Sequence, residues 1–216
     1  MPVRKEPLVT DRFYHVLNRG ARSAEIFKDS KDKNIFLELL TFYSQINPPA
    51  KFSYYRTDRK KYQVDFSERL VTIVAYCLMP THFHLFLRQE ENQGIQTFLQ
   101  RVSNAYSHYH NIRHNYKGAL FESPFKSICV DYENQFLHLS RYIHLNPVSA
   151  YLVDDPCDYP FSSCNLFVRG SGLGLPFDPR PVMSSFKDGD DYLDFLLAGK
   201  DYQRELAAIK DLLLEE

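Results

Sequence analysis

Cysteine is scarce in this sequence and scattered where it occurs. Cys77, Cys129, Cys157 and Cys164 form no C-x-x-C pair. That argues against a cysteine-held zinc and against a disulfide framework, and it predicts reduced, mostly packed thiols. No apolar run reaches the roughly 20 residues that cross a bilayer, and the opening "MPVRKEPLVTDRFYH" lacks the apolar core of a secretory signal. No membrane partner is therefore expected, and a soluble cytoplasmic protein is. Tryptophan is absent, so the aromatic content rests on 15 Tyr and 17 Phe. Neither charge dominates: the formal net charge of -1 excludes the strongly basic proteins that bind nucleic acid by composition alone. No internal repeat is visible.

What is present is an ordinary globular mix, 44% hydrophobic and 25% charged over 216 residues, enough for one sizeable domain or one domain with an appendage. The charge is unevenly placed. Residues 184–216 hold four Lys/Arg and nine Asp/Glu, a net of -5, which leaves +4 for residues 1–183. A mildly basic body carries an acidic tail.

Periodicity gives the element order. "RFYHVLNRG" (12–20) alternates and ends in glycine, the pattern of a strand. "KDKNIFLELLTFYSQI" (31–46) has apolar residues at helical spacing, with Asp29 or Ser30 as its cap and "NPP" as its stop. "KFSYYRTDRKKYQVDFS" (51–67) reads as a basic, aromatic loop or hairpin. "RLVTIVAYCLM" (69–79) and "THFHLFLRQ" (81–89) form a hairpin broken at Pro80. A long helix over 94–114, a strand over 125–131 and a helix over 133–150, ended near Pro147, follow. This β–α–β–β–α–β–α order predicts an α+β fold: a ferredoxin-like (split βαβ) antiparallel sheet with helices on one face, plus a C-terminal helical extension. The expected division is a catalytic domain over 1–169, a Gly/Pro linker over 170–181 and an acidic helical tail over 182–216.

The chemistry centres on "MPTHFHLFL" (79–87). In a strand, residues i and i+2 share a face, so His82 and His84 point one way while Phe83, Leu85 and Leu87 point into a core. Two adjacent imidazoles on one face suit a metal ion. On the helix over 133–150, i and i+4 share a face, which groups His138, Tyr142 and Asn146. A divalent metal held by His82, His84 and Asn146 would keep open positions for a phosphate oxygen. Tyr142 would then be the nucleophile, although a phenol with a pKa of about 10 needs help to ionise. His138 could touch Tyr142 but reads better as a partly buried, satisfied histidine, and His144, off the Tyr142 face, as structural or DNA-facing. Tyr106 and Tyr109 are rival nucleophiles, but a DNA-facing stripe of His108, Tyr109, His110, Arg113, His114 and Lys117 suits that helix better. Lys60 and Lys61, in a segment interleaved with Tyr54, Tyr55 and Tyr62, are candidate single-strand contacts, as are Arg19, Arg22 and Lys126.

With these motifs together, "YHVLNRG", "AYCLMPTHFHLFL" and "FKSICVD…RYIHLNPVSA" resemble the HUH single-tyrosine transposases, most of all the REP-associated tyrosine transposases. The resemblance covers roughly residues 12–167. HUH is His82-Phe83-His84 here, and the family tyrosine, ahead of Asn-Pro, falls on Tyr142. The third metal contact, one turn later, falls on Asn146. The resemblance implies Mg²⁺ or Mn²⁺, single-stranded or hairpin DNA as substrate, a 5′-phosphotyrosine intermediate and a homodimer, nucleoid-associated when bound to DNA. Imidazole suits Zn, Cu or Ni better than hard Mg²⁺, so weak Mg²⁺ binding without DNA and tighter Mn²⁺ binding are expected. Two departures stand out: "LFESPFKS" replaces the common "LFQGRFKS", and Thr81 stands where Asn is common. The rival readings are an inactive or domesticated DNA-hairpin-binding protein and a metal phosphoesterase acting on a small molecule.

Overall fold

The strand order is β2-β3-β1-β4, all antiparallel: β1 (Phe13–Arg19), β2 (Val71–Leu78), β3 (His82–Gln89) and β4 (Lys126–Val130). The computed structural model describes residues 7–122, 124–170 and 176–204. Residues 171–175 of the expected linker and 205–216 of the expected acidic tail lie outside these.

Local sequence explains the two central strands. β2 is buried along its whole length, as a β-branched run covered on both faces must be. Pro80 and Thr81 turn the chain, with Met79 N–H donating to the His82 carbonyl at 2.9 Å, and β3 returns beside it. Gly20 closes the other side of this turn. Its N–H donates to the Thr81 carbonyl at 2.8 Å, and a Cβ there would lie 2.0 Å from the Ala24 carbonyl oxygen. Only glycine lets the backbones approach so closely.

The two helices of the split βαβ core cover one face of the sheet. α1 (Ser30–Tyr43) is capped by Asp29, whose side chain accepts from Asp32 N–H. It packs Phe36, Leu39 and Leu40 with Phe98 and Val102 of α3 (Gly94–His114) over Val16, Phe83, Leu85 and Leu87. α4 (Glu133–Ser149) lies on the opposite face, where Phe136, Ile143 and Val148 meet Ala75, Cys77 and Phe86. Behind it, Phe167 of α5 (Cys164–Arg169) and Tyr192 of α7 (Gly189–Leu197) enclose His144. The short α6 (Arg180–Met183) adds Val182 to that core. Pro176 and Asp178 exchange backbone hydrogen bonds with Ile73, covering the outer edge of β2.

The segment 51–67, expected as a loop or hairpin, begins instead with a short helix, α2 (Phe52–Thr57). Its aromatic residues decide this: Phe52 and Tyr55 pack on Phe42, with ring centroids 5.4 and 4.8 Å away, and helical spacing puts both on one side. Among the described residues no helix is long and apolar enough to cross a membrane.

Candidate metal and tyrosine site

Strand alternation carries the site. On the α4 face, β1 presents Phe13, His15, Leu17 and Arg19. Leu17 pairs with His84 and Arg19 with His82 in the β1–β3 register. His84 is 2% exposed and His82 half-buried, and their rings stand edge-on with centroids 5.0 Å apart. Each ring is held through Nδ1. Thr81 Oγ1 lies 3.0 Å from His82 Nδ1, and His15 Nε2 lies 2.9 Å from His84 Nδ1. Held this way, both imidazoles offer Nε2 as the coordinating atom, the arrangement that commonly fixes metal-binding histidines.

His15 was not singled out in the sequence. It lies inside "YHVLNRG", and its only sequence signal is strand alternation, which puts it on the same face as Leu17 and Arg19. Burial lowers its pKa to about 4. A neutral His15 can accept the Nδ1–H of His84 and so set that ring's tautomer.

α4 brings Tyr142 over this pair. Its ring stands edge-on to His84, at 5.3 Å and 88°, and to His15, at 6.0 Å and 76°. Burial raises the Tyr142 pKa, and the Asn146 side chain acts in the opposite direction. One turn on, Asn146 Nδ2 donates to the Tyr142 carbonyl at 2.7 Å. This bond holds the amide group against its own helix. The structure brings His82 to His84, and His84 and His15 to Tyr142, with Asn146 bonded one turn along the tyrosine's helix. Two imidazoles and an amide oxygen fit a divalent cation, and Mn²⁺ better than Mg²⁺ on donor type.

The other candidates separate cleanly. His138 is exposed and bonded to Arg141 at 2.9 Å. His144 is fully buried between Tyr192 Oη and Ser163 Oγ, each at 2.7 Å, and burial lowers its pKa to about 3. Tyr106 is a core residue whose hydroxyl donates to the Ile26 carbonyl at 2.5 Å, and burial raises its pKa. Tyr109 donates to Asp32 at 3.1 Å, and Arg113 is paired with Asp29 and Asp32.

Among the expected DNA contacts, Arg19 pairs with Glu122 at 2.6 Å, so the glutamate of "ESPF" engages a cation beside the site. Arg22 follows in a single 3-10 turn with a left-handed backbone, φ 58°. Lys60, Lys61 and Lys117 are exposed, and Lys61 lies over the Tyr62 ring. Lys126 and Ile128, both exposed on β4, share the sheet face of His82 and His84 where α4 does not cover it.

Residues 59–146 match the family model described as "Transposase IS200 like", a span that contains both strand histidines and Tyr142 and ends on Asn146. Among solved structures, that of a REP-associated tyrosine transposase bound to a REP hairpin is similar, with 14% identity and a TM-score of 0.52, covering 82% of this chain and 94% of that one. At this identity the likeness is one of fold. No curated protein matches.

Proposed function

We propose that this chain, whose residues 59–146 match the IS200-like transposase family, nicks and rejoins single-stranded DNA through a covalent bond to Tyr142. The observation that carries this reading is the Tyr142 ring set edge-on against His84 at 5.3 Å, with Asn146 one turn further along α4. In this reading Tyr142 is the nucleophile, and the imidazole pair and the Asn146 amide are the metal ligands.

In the reaction, the Tyr142 hydroxyl attacks a backbone phosphorus. The P–O3′ bond breaks, a 5′-phosphotyrosine forms, and the proton leaving Tyr142 is balanced by one taken up at the freed O3′. The phosphodiester energy is conserved, so the 3′-hydroxyl of a strand can reverse the step. His82, His84 and Asn146 would hold Mg²⁺ or Mn²⁺. When bound, that ion supplies Lewis-acid polarisation of the phosphate. His15 and Thr81 keep the two imidazoles in place. Asn146 orients Tyr142, whose ring is partly buried.

The DNA path is inferred from what lies beside the site. Lys126, exposed, and Ile128, 67% exposed, continue the histidine face past α4. A cation for phosphate and an apolar side chain for a base are the elements of single-strand binding. Lys60, Lys61, Lys117 and Arg22 would extend the contact. Hairpin-forming sites as substrate, a homodimer and nucleoid association are part of the same reading.

The test is a covalent-adduct assay with labelled hairpin DNA and Mn²⁺, run on a denaturing gel. An adduct lost in Tyr142→Phe but kept in Tyr106→Phe and Tyr109→Phe supports the reading. Hairpins that bind with no adduct under any metal would replace it with a DNA-binding function.

A further inference from the structure

On the far side of the sheet from His82 and His84, α1 and α3 bring together a second group of ligand-type side chains. Asp32 is fully buried in the first turn of α1, and His110 and His114 lie one turn apart near the end of α3. One candidate ligand atom from each lies within 4.8 Å of the others. The imidazole centroids are 4.6 Å apart, and His114 Nε2 is 3.0 Å from Asp32 Oδ2.

We propose that Asp32, His110 and His114 form a second cation site, separate from the tyrosine centre, that takes a zinc-class divalent ion and clamps α1 to α3.

His110 is the side chain that hydrogen bonding leaves unexplained. It is 1% exposed, and neither ring nitrogen has a hydrogen-bond partner among the described residues. A neutral imidazole has one N–H and one lone pair, and leaving both buried and unmatched is unfavourable. An ion bound by one nitrogen answers the lone pair. Burial and the neighbouring His114 lower the His110 pKa, so the ring stays unprotonated, as a ligand must be.

The residue types and spacing suit such an ion. Two histidines at i and i+4 on one helix face, joined by a carboxylate from another element, form a three-ligand imidazole–oxygen set with a fourth position for water. The rim supplies that opening, since the His114 side chain is 14% exposed. Borderline Zn²⁺, Co²⁺ or Ni²⁺ match these donors better than Mg²⁺.

The surroundings orient the carboxylate. Lys28 N–H donates to Asp32 Oδ2 at 3.0 Å and Tyr109 Oη to Oδ1 at 3.1 Å. Burial alone would raise the Asp32 pKa, but these contacts with Arg113 and His114 outweigh it and lower it. Arg113 is the cation bonded to Asp32, and the Lys28 charge also reaches His110. The Arg113 guanidinium also holds both Asp29 oxygens, so Asp29 balances it and leaves the Asp32 charge for the ion. With bulk this close and no acidic residue between the histidines of "HNIRH", the site suits a structural ion rather than a substrate.

The experiment is Co²⁺ titration of the full chain followed by visible absorption, with Zn²⁺ competition and thermal melts. In His82→Ala, which weakens the tyrosine centre, one equivalent of Co²⁺ should still give a d–d band, displaced by Zn²⁺. His110→Gln and His114→Gln should lose that band while circular dichroism stays native. Free Zn²⁺ at about a hundred times its Kd should raise Tm by roughly 5–10 °C in His82→Ala and not in His114→Gln. No band in His82→Ala, or a band unchanged in His114→Gln, overturns the site. Should the glutamine variants fail to fold, anomalous scattering from wild-type crystals grown with Zn²⁺ decides: a peak between Asp32, His110 and His114 supports the site, and none there overturns it.

Discussion

His15 Nε2 sits 2.9 Å from His84 Nδ1, between neighbouring strands of the sheet. His15 holds the Nδ1 side of His84, and so sets which nitrogen of that ring faces the site. His15→Ala should therefore lower Mn²⁺ affinity and the nicking rate by about 10- to 100-fold, with hairpin affinity measured without metal unchanged. His15→Gln, which can still accept through its amide oxygen, should recover part of the loss. Equal loss in both variants would assign His15 to packing alone.

Tyr106 and Tyr142 should separate stability from chemistry. Removing the Tyr106 hydroxyl leaves the Ile26 carbonyl buried without its donor, at a cost of about 1–3 kcal/mol in urea unfolding, while nicking survives. Tyr142→Phe should abolish the adduct and leave the unfolding midpoint nearly unchanged.

Acid stability should carry the mark of His144. Burial lowers its folded pKa to about 3 from the ordinary 6.5. Below pH 6.5 the unfolded chain takes up a proton that the folded one refuses, so stability falls as pH drops toward 3, by at most about 1.4 kcal/mol per unit for one group. Asp32, whose pKa is lowered from 3.8, acts in the same direction but only below that value. Urea unfolding of wild type at pH 7 and pH 5 should differ by more than that of His144→Gln, because glutamine has no proton to gain.

Lys126 is the cleanest test of the DNA path. Lys126→Ala should weaken binding to all hairpins alike and reduce the slope of log affinity against log salt by about 1. A loss confined to one sequence would mean that Lys126 reads a base instead.

Two motifs made the candidate site legible in advance. H-x-H alternation placed His82 and His84 together, and helical spacing placed Tyr142 near Asn146. Both are local periodicities, visible within a few residues. His15 escaped because its partner is set by the β1–β3 register, which no local pattern encodes. The same limit governed Tyr109 and Arg113. Their spacing suggested a DNA-facing stripe, but α1 places the buried Asp32 against them, and a buried carboxylate gathers the donors in reach. α2 was missed because its aromatic anchors rest on Phe42, ten residues before its start.

The Pro80–Thr81 turn has a consequence for how such a chain can diverge. It counts residues into β3, and every second one faces the histidine side. Swaps within the turn leave that count alone, so a threonine can stand where asparagine is common. A gain or loss of one residue is different. It would exchange the two sets, aiming Phe83 and Leu85 at the tyrosine helix and forcing imidazoles among Phe36, Leu39 and Val102. Spelling here can drift, but a change of length would undo the site as surely as loss of the histidines.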